Sequence, residues 1–180
     1  MDQPRSPANT GFRARFGRFG SWLPEAIVFV VIFGGVHLYR TQDMLNADYE
    51  PAPSLSLNSL NGDLVLLEAN RPALVYFFAP WCNICAASAH NLRNLQKLRG
   101  EDELQVLLVA LDWQDADEVQ AYVDRHELDV RVLLGTPRTA RKWGESVFPT
   151  YYILDDELRV AHRDYGYSTL LGLWIRSVLA

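Results

Sequence analysis

The chain has 180 residues, enough for one domain of ordinary size and an appendage. Its apolar content of 49% supports a real core, while its net charge of −5 is unevenly spread: residues 1–39 carry four Arg against Asp2 and Glu25, and residues 40–180 carry 13 basic against 20 acidic residues. The acidic body excludes nucleic acid as a partner, and two cysteines are too few for a disulfide framework or a structural zinc site.

Residues 1–21, rich in Arg, Gly, Pro and Ser, read as a disordered tail. The stretch from Trp22 to Tyr39 follows, without a charge between Ala26 and Val36. It is close to the lower length limit for a membrane-spanning helix, with Trp22 and Tyr39 placed for the two interfaces. Arg5, Arg13, Arg15 and Arg18 precede it, which predicts a cytoplasmic N-terminus and a main domain on the other side. A cleaved signal peptide shares this order of basic, apolar and polar segments, but Val36-His37-Leu38-Tyr39-Arg40 offers no small-residue cleavage site. Either way the main domain is expected where disulfides persist. Residues 40–54, with Pro51 and Pro53, read as a linker.

From residue 55 the pattern becomes that of a folded domain. Leu55–Leu60 and Leu64–Leu67 predict a hairpin, with Asn61-Gly62 as a type I′ turn signal. Ala73 to Phe78 is an apolar strand. A helical pattern from about Cys82 to Arg99 ends at Gly100, and Gln105 to Leu111 reads as a central parallel strand. Asp115 with Glu118 opens a helix to about His126. Val130 to Leu134 is a strand, Pro137 opens a short helix to about Trp143, and Thr150–Leu154 with Leu158–Arg163 predicts a second hairpin around a solvated Asp155-Asp156-Glu157 turn. A last helix is predicted with Ser168 as cap, its core face formed by Leu170, Leu171, Trp174, Ile175 and Val178. The expected architecture is α/β, a mixed central sheet with helices on both faces.

Both cysteines, Cys82 and Cys85, lie where the strand 73–78 passes into the helix. Strand, turn, Cys-x-x-Cys, helix is a redox rather than a metal context. At a helix N-terminus free N–H donors and the macrodipole favour thiolate over thiol, and the thiolate is the nucleophile. A second cysteine one turn on can resolve a mixed disulfide made by the first. The same pair could hold Cu(I), the alternative reading, although no Met or His stands near it in sequence. His37, His90, His126 and His162 show no ligand spacing, and no phosphate or dinucleotide loop is present. Neither a metal nor a cofactor is expected.

Ala79-Pro80-Trp81-Cys82-Asn83-Ile84-Cys85, with the distant Phe148-Pro149-Thr150, resembles the thioredoxin superfamily, and more narrowly the membrane-anchored TlpA-like or suppressor-of-copper-sensitivity type. The resemblance spans about residues 55–180 and includes an extra strand and helix between Leu111 and Gly135. It implies a thioredoxin-like fold with an N-terminal hairpin and a central αβ insertion. It implies a thiol:disulfide oxidoreductase with Cys82 and Cys85 as the redox pair. Trp81, Asn83, Ile84, Phe148 and Pro149 then form the substrate surface, with Pro149 cis. The implied setting is the bacterial inner membrane, the domain periplasmic, acting on protein thiols and disulfides beside a membrane redox partner. Two departures stand out. Tyr76 occupies the position of thioredoxin's buried Asp, and Ser88 that of a Glu found in some TlpA-like members. Asn83-Ile84 supplies no cation to hold a thiolate, so a potential as oxidising as about −120 mV is not expected.

Overall fold

The computed structural model describes residues 22–41 and 48–180, in two units that divide after Thr41. The tail expected over 1–21 and positions 42–47 of the expected linker lie outside the described residues.

The first unit holds one helix, α1 (Trp22–Thr41), where the sequence predicts a spanning segment. Ile27 to Ile32 are all exposed. The side chains of Trp22, Leu23, Ala26, Phe33 and positions 36–41 lie outside the described set. Among the described residues no helix is long and apolar enough to cross a membrane.

The second unit is built on a five-stranded sheet in the order β5-β4-β3-β6-β7. Its strands are β3 (Ala73–Phe78), β4 (Gln105–Ala110), β5 (Arg131–Leu134), β6 (Thr150–Leu154) and β7 (Val160–Tyr165). β3 pairs in parallel with β4, β4 in parallel with β5, and β6 runs antiparallel to both β3 and β7. The sheet is therefore mixed, and the fold is the α/β thioredoxin-like one that the sequence implies.

β3, β4 and β6 are buried along their whole length, because helices cover one face and a helix and hairpin the other. The period of two sorts their side chains. Leu74, Tyr76, Phe78, Leu108 and Tyr151 point to the face covered by α2 (Asn83–Arg99), α3 (Ala116–Arg125) and α5 (Leu170–Leu179). Val75, Phe77, Val109, Tyr152 and Leu154 point to the other, where Trp143 of α4 (Pro137–Trp143) meets Phe77 and Tyr152 at ring-centroid distances of 5.3 and 5.2 Å. That second face also receives Leu57 and Val65 of a small separate hairpin, β1 (Ser56–Asn58) with β2 (Leu64–Leu66).

Several sequence readings are corrected. The hairpin turn is not a two-residue I′ turn: only Gly62 has positive φ (88°), Gly62 N–H donates to Ser59 O at 3.0 Å, and Ser59 N–H donates to Asp63 O at 2.8 Å. The longer loop frees Ser59 to bridge Leu133, and Leu60 N–H donates to Val132 O, so the loop caps the β5 edge. Within the stretch read as linker, Tyr49, Glu50 and Ala52 hydrogen-bond to the backbone of Leu158 and Val160, and Pro51 bridges Arg159. Asp155 is not solvated but buried, its carboxylate accepting from the N–H groups of Glu157 and Arg159 and from the Arg159 guanidinium. Thr169, not Ser168, caps α5, its hydroxyl accepting from Gly172 N–H at 3.2 Å.

The face of α5 is corrected as well. Leu173 and Ser177 are buried, while Leu171, Trp174, Ile175 and Val178 are exposed. A helix apolar on two sides cannot choose by periodicity which side to bury. The choice is made by α2, whose Asn91 amide donates to Ser168 O and whose Arg99 guanidinium donates to Ser177 Oγ, turning the Ser177 side inward.

Gly135 closes the end of β5 against β4. A Cβ built there would lie 2.7 Å from Ala110 O and Leu111 Cδ2, and 2.8 Å from Val109 Cγ1. Gly135→Ala is expected to cost about 1–3 kcal/mol by overpacking and to lower the thermal midpoint by roughly 3–8 °C. An unchanged melting curve would contradict this placement.

Candidate active site

The chain leaves β3 at Phe78, whose carbonyl still accepts from Leu111 N–H at 2.8 Å. It turns through Ala79, Pro80 and Trp81, with Cys82 N–H donating to Ala79 O at 3.0 Å. Cys82 is the N-cap of α2, in extended backbone (φ −80°, ψ 108°), so the helix begins one residue later than the sequence pattern suggests. Its Sγ accepts from Cys85 N–H at 3.2 Å. A sulfur thus takes the place usually held by a Ser or Asp oxygen at a helix start. The same donor and the helix dipole favour negative charge on that sulfur once the bond is reduced.

Cys82 and Cys85 are joined as a disulfide with Cα atoms 5.2 Å apart, inside the range such a bridge needs. The two sulfurs are not equivalent. Cys82 keeps 7% of its surface and Cys85 none, so an incoming thiol or disulfide can reach only the first.

The sequence-predicted partners gather around this pair. Trp81 is 59% exposed and Ile84 51%, with Asn83 exposed between the cysteines. The Phe148–Pro149 bond is cis, as the resemblance implies, and Pro149 is buried. The Trp81 and Phe148 rings meet edge to face at 6.0 Å, which joins the cysteine loop to the loop before β6. Trp113 stands at the same sheet end, half-buried, its indole donating to Gly135 O at 2.9 Å. Among the described residues no group of three His, Cys, Asp or Glu is placed to hold a metal.

Beneath the disulfide no carboxylate is present at the two positions where the family pattern places one. Tyr76 is buried, stacked at 6.4 Å on Tyr151. Burial pushes its hydroxyl well above the ordinary tyrosine range, against a smaller opposing effect of Ser88. The hydroxyl is therefore neutral at any physiological pH and accepts no proton from Cys85. Ser88 itself donates to Ile84 O at 3.1 Å.

Two residues went unread in the sequence. Asp112, at positive φ (51°) just past β4, accepts the Trp81 indole N–H on its carbonyl (3.2 Å) and its carboxylate (3.1 Å). Its place after the C-terminal end of a parallel strand, where open α/β sheets gather their sites, was the available signal. Glu145, four residues before Pro149, has both carboxyl oxygens buried. Burial raises its pKa to about 8, partly offset by Thr150 and Tyr152. The signal there was one charge in the otherwise uncharged run from Trp143 to Leu154.

Residues 47–170, more than half of the chain, match the family model described as Redoxin. A thioredoxin-like protein, YneN, of Bacillus subtilis is 26% identical over 144 residues, covering 76% of this chain and 84% of its own. Among solved structures, a thiol:disulfide interchange protein of the thioredoxin family from Chlorobium tepidum superposes with a TM-score of 0.68 at 22% identity, over 76% of this chain and 99% of that one. A secreted thiol-disulfide isomerase from Corynebacterium glutamicum does so at 0.67 and 20% identity, over 75% and 87%. These structural likenesses establish the fold.

Proposed function

The chain belongs to the Redoxin family and is a thioredoxin-like thiol:disulfide oxidoreductase; on that premise we propose that it exchanges disulfides with protein substrates on the periplasmic face of a bacterial inner membrane, as a TlpA-like protein held there by residues 22–39. The observation that carries the exchange chemistry is the asymmetry of the pair: one sulfur at the surface on a helix N-cap, bonded to one that is fully buried.

In the reducing direction the Cys82 thiolate attacks one sulfur of a substrate disulfide. The S–S bond breaks, a Cys82–substrate disulfide forms, and the other substrate sulfur leaves as a thiolate. Cys85 loses its proton and attacks Cys82 Sγ, which restores the Cys82–Cys85 bond and releases the second substrate thiolate. Two electrons have passed from the pair to the substrate, and the released thiolates take protons from water. The oxidising direction is the reverse. With Tyr76 and Ser88 where the family pattern has carboxylates, the proton of Cys85 goes to water rather than to a buried base. No cofactor is required, since electrons move between sulfurs.

Trp81, Asn83, Ile84, Phe148 and Pro149 are the docking surface. An extended substrate segment would lie along the Phe148 backbone and pair with it as an added strand, against the exposed apolar faces of Trp81 and Ile84. The anchor is supported by the charge-free run Ala26–Val36 and the four Arg before it. It is supported too by an α1 whose Ile27 to Ile32, enough residues to cover every side of a helix, are all exposed. An anchor would keep the domain near a membrane electron donor or acceptor.

Cys85→Ser tests both parts at once. Without a resolving thiol, the full chain expressed in bacteria should accumulate mixed disulfides through Cys82, seen on non-reducing gels as adducts that vanish with dithiothreitol and sediment with the membrane fraction. Absence of adducts would refute the exchange mechanism; adducts confined to the soluble fraction would refute the anchor alone.

A further inference from the structure

α5 is more apolar on its outer face than on its inner one. Leu171, Trp174, Ile175, Val178 and Leu179 occupy one continuous arc of about 140° at 100° per residue, and all five are exposed, by 40–67%. No polar residue interrupts that arc. Arg176, the only charged side chain in the helix, is drawn off it: its guanidinium donates to the Tyr151 hydroxyl and pairs with Asp164 at 3.2 Å. Leu98, 62% exposed, extends the patch across α2, which runs alongside α5 through the Asn91–Ser168 and Arg99–Ser177 hydrogen bonds. At roughly 200 Å² of surface per large side chain, these six residues expose about 600 Å² of apolar surface. That is the upper end for a monomer without a partner on that face and most of the ~800 Å² per side of a standard interface.

We infer that this face is the contact between two copies of the chain, packed about a two-fold axis through the outer face of α5. Charge decides between the possible occupants. An interfacial helix that docks on an anionic bilayer carries Lys and Arg along its polar side. Here the single Arg is engaged with Asp164, and residues 40–180 carry 13 basic against 20 acidic residues, a body that such a surface repels. Facing itself, an uncharged patch opposes no like charges, and a two-fold contact requires this self-complementarity. Trp174 and Ile175, near the middle of the ten-residue helix, lie next to the axis. The near end of the patch, Leu171, follows three residues after Ser168, whose carbonyl meets Asn91 nine residues from Cys82, or about 14 Å along a helix at 1.5 Å per residue.

Sedimentation equilibrium of the full chain in density-matched non-ionic detergent tests this directly, and its readout is mass, independent of redox activity. The wild type should be a dimer at tens of micromolar. Ile175→Glu, which places a charge against the axis, should raise the dissociation constant by at least about a hundredfold while leaving far-UV circular dichroism and disulfide exchange unchanged. Leu171→Lys, at the more exposed edge of the patch, should weaken it too, and serves if Ile175→Glu misfolds. A monomeric wild type, or a dimer equally tight in both variants, which would place the contact elsewhere (α1 included), overturns the inference. So does a monomer that binds phosphatidylglycerol vesicles through these residues.

Discussion

Cys82→Ser is expected to reduce disulfide exchange to the level of buffer alone, with insulin reduction and oxidative refolding both lost, while the domain stays folded. The reason is geometric. Cys85 has no exposed surface, so it cannot open a substrate disulfide in place of its neighbour, and a serine hydroxyl forms no mixed disulfide. The structural cost is small, because a serine oxygen caps the first turn of α2 at least as well as sulfur, accepting the Cys85 N–H. A protein with native circular dichroism and no activity is the expected outcome. Residual exchange above a few per cent would mean that Cys85 becomes accessible, and the assignment of the two sulfurs would fail. Cys85→Ser is its counterpart, since it stops the reaction one step later with substrate attached.

Glu145→Gln should remove most of a fall in stability that the wild type shows as pH rises. Both carboxyl oxygens are buried, and burial raises the pKa to about 8, well above the ordinary carboxylate range. The neighbouring hydroxyls offset little of this, because each already donates its proton to a backbone carbonyl, Thr150 to Val147 O at 2.7 Å and Tyr152 to Trp143 O at 2.8 Å. The folded state therefore holds a proton that the unfolded chain releases near pH 4.5. Its stabilising effect is complete below that value and is lost as pH rises toward 8, a difference on the order of a few kcal/mol. His126 and His162 slope the other way. Burial lowers both, so the unfolded chain binds more protons near pH 6 and their contribution grows with pH. The comparison with Glu145→Gln cancels them, since both proteins carry both histidines. Urea midpoints at pH 5, 6.5 and 8 give the measurement. Parallel profiles for wild type and variant would show that the carboxylate finds solvent or a partner when it ionises. Glu145 lies in the segment that ends at Phe148-Pro149, so activity measured above pH 8 reports on a loop carrying a buried negative charge.

The redox centre was readable because its determinants are local. A buried strand, a tight turn and a helix start bring Cys82 and Cys85 within bonding reach through consecutive residues, and the helix terminus supplies the N–H donor whatever packs around it. The strands were readable for a similar reason: continuous apolar runs from Ala73, Gln105 and Thr150 fit only strands buried on both faces. Pro149 belongs to a second group. Its cis bond and its place beside the cysteine loop were expected only through the resemblance, and the contact of Phe148 with Trp81 depends on the pairing of β6 with β3.

By itself, then, the sequence determined the alternation of strands and helices, the place of the cysteine pair and the acidic character of the domain, all properties that neighbouring residues impose on one another. Tertiary structure alone decided which face of α5 is buried, that Asp155 and Glu145 are enclosed and that Tyr49 to Ala52 lie along the end of β7. Burial is set by what a distant segment brings to cover a side chain. A helix apolar on two sides, or a carboxylate in a short loop, carries no local mark of which neighbour will arrive.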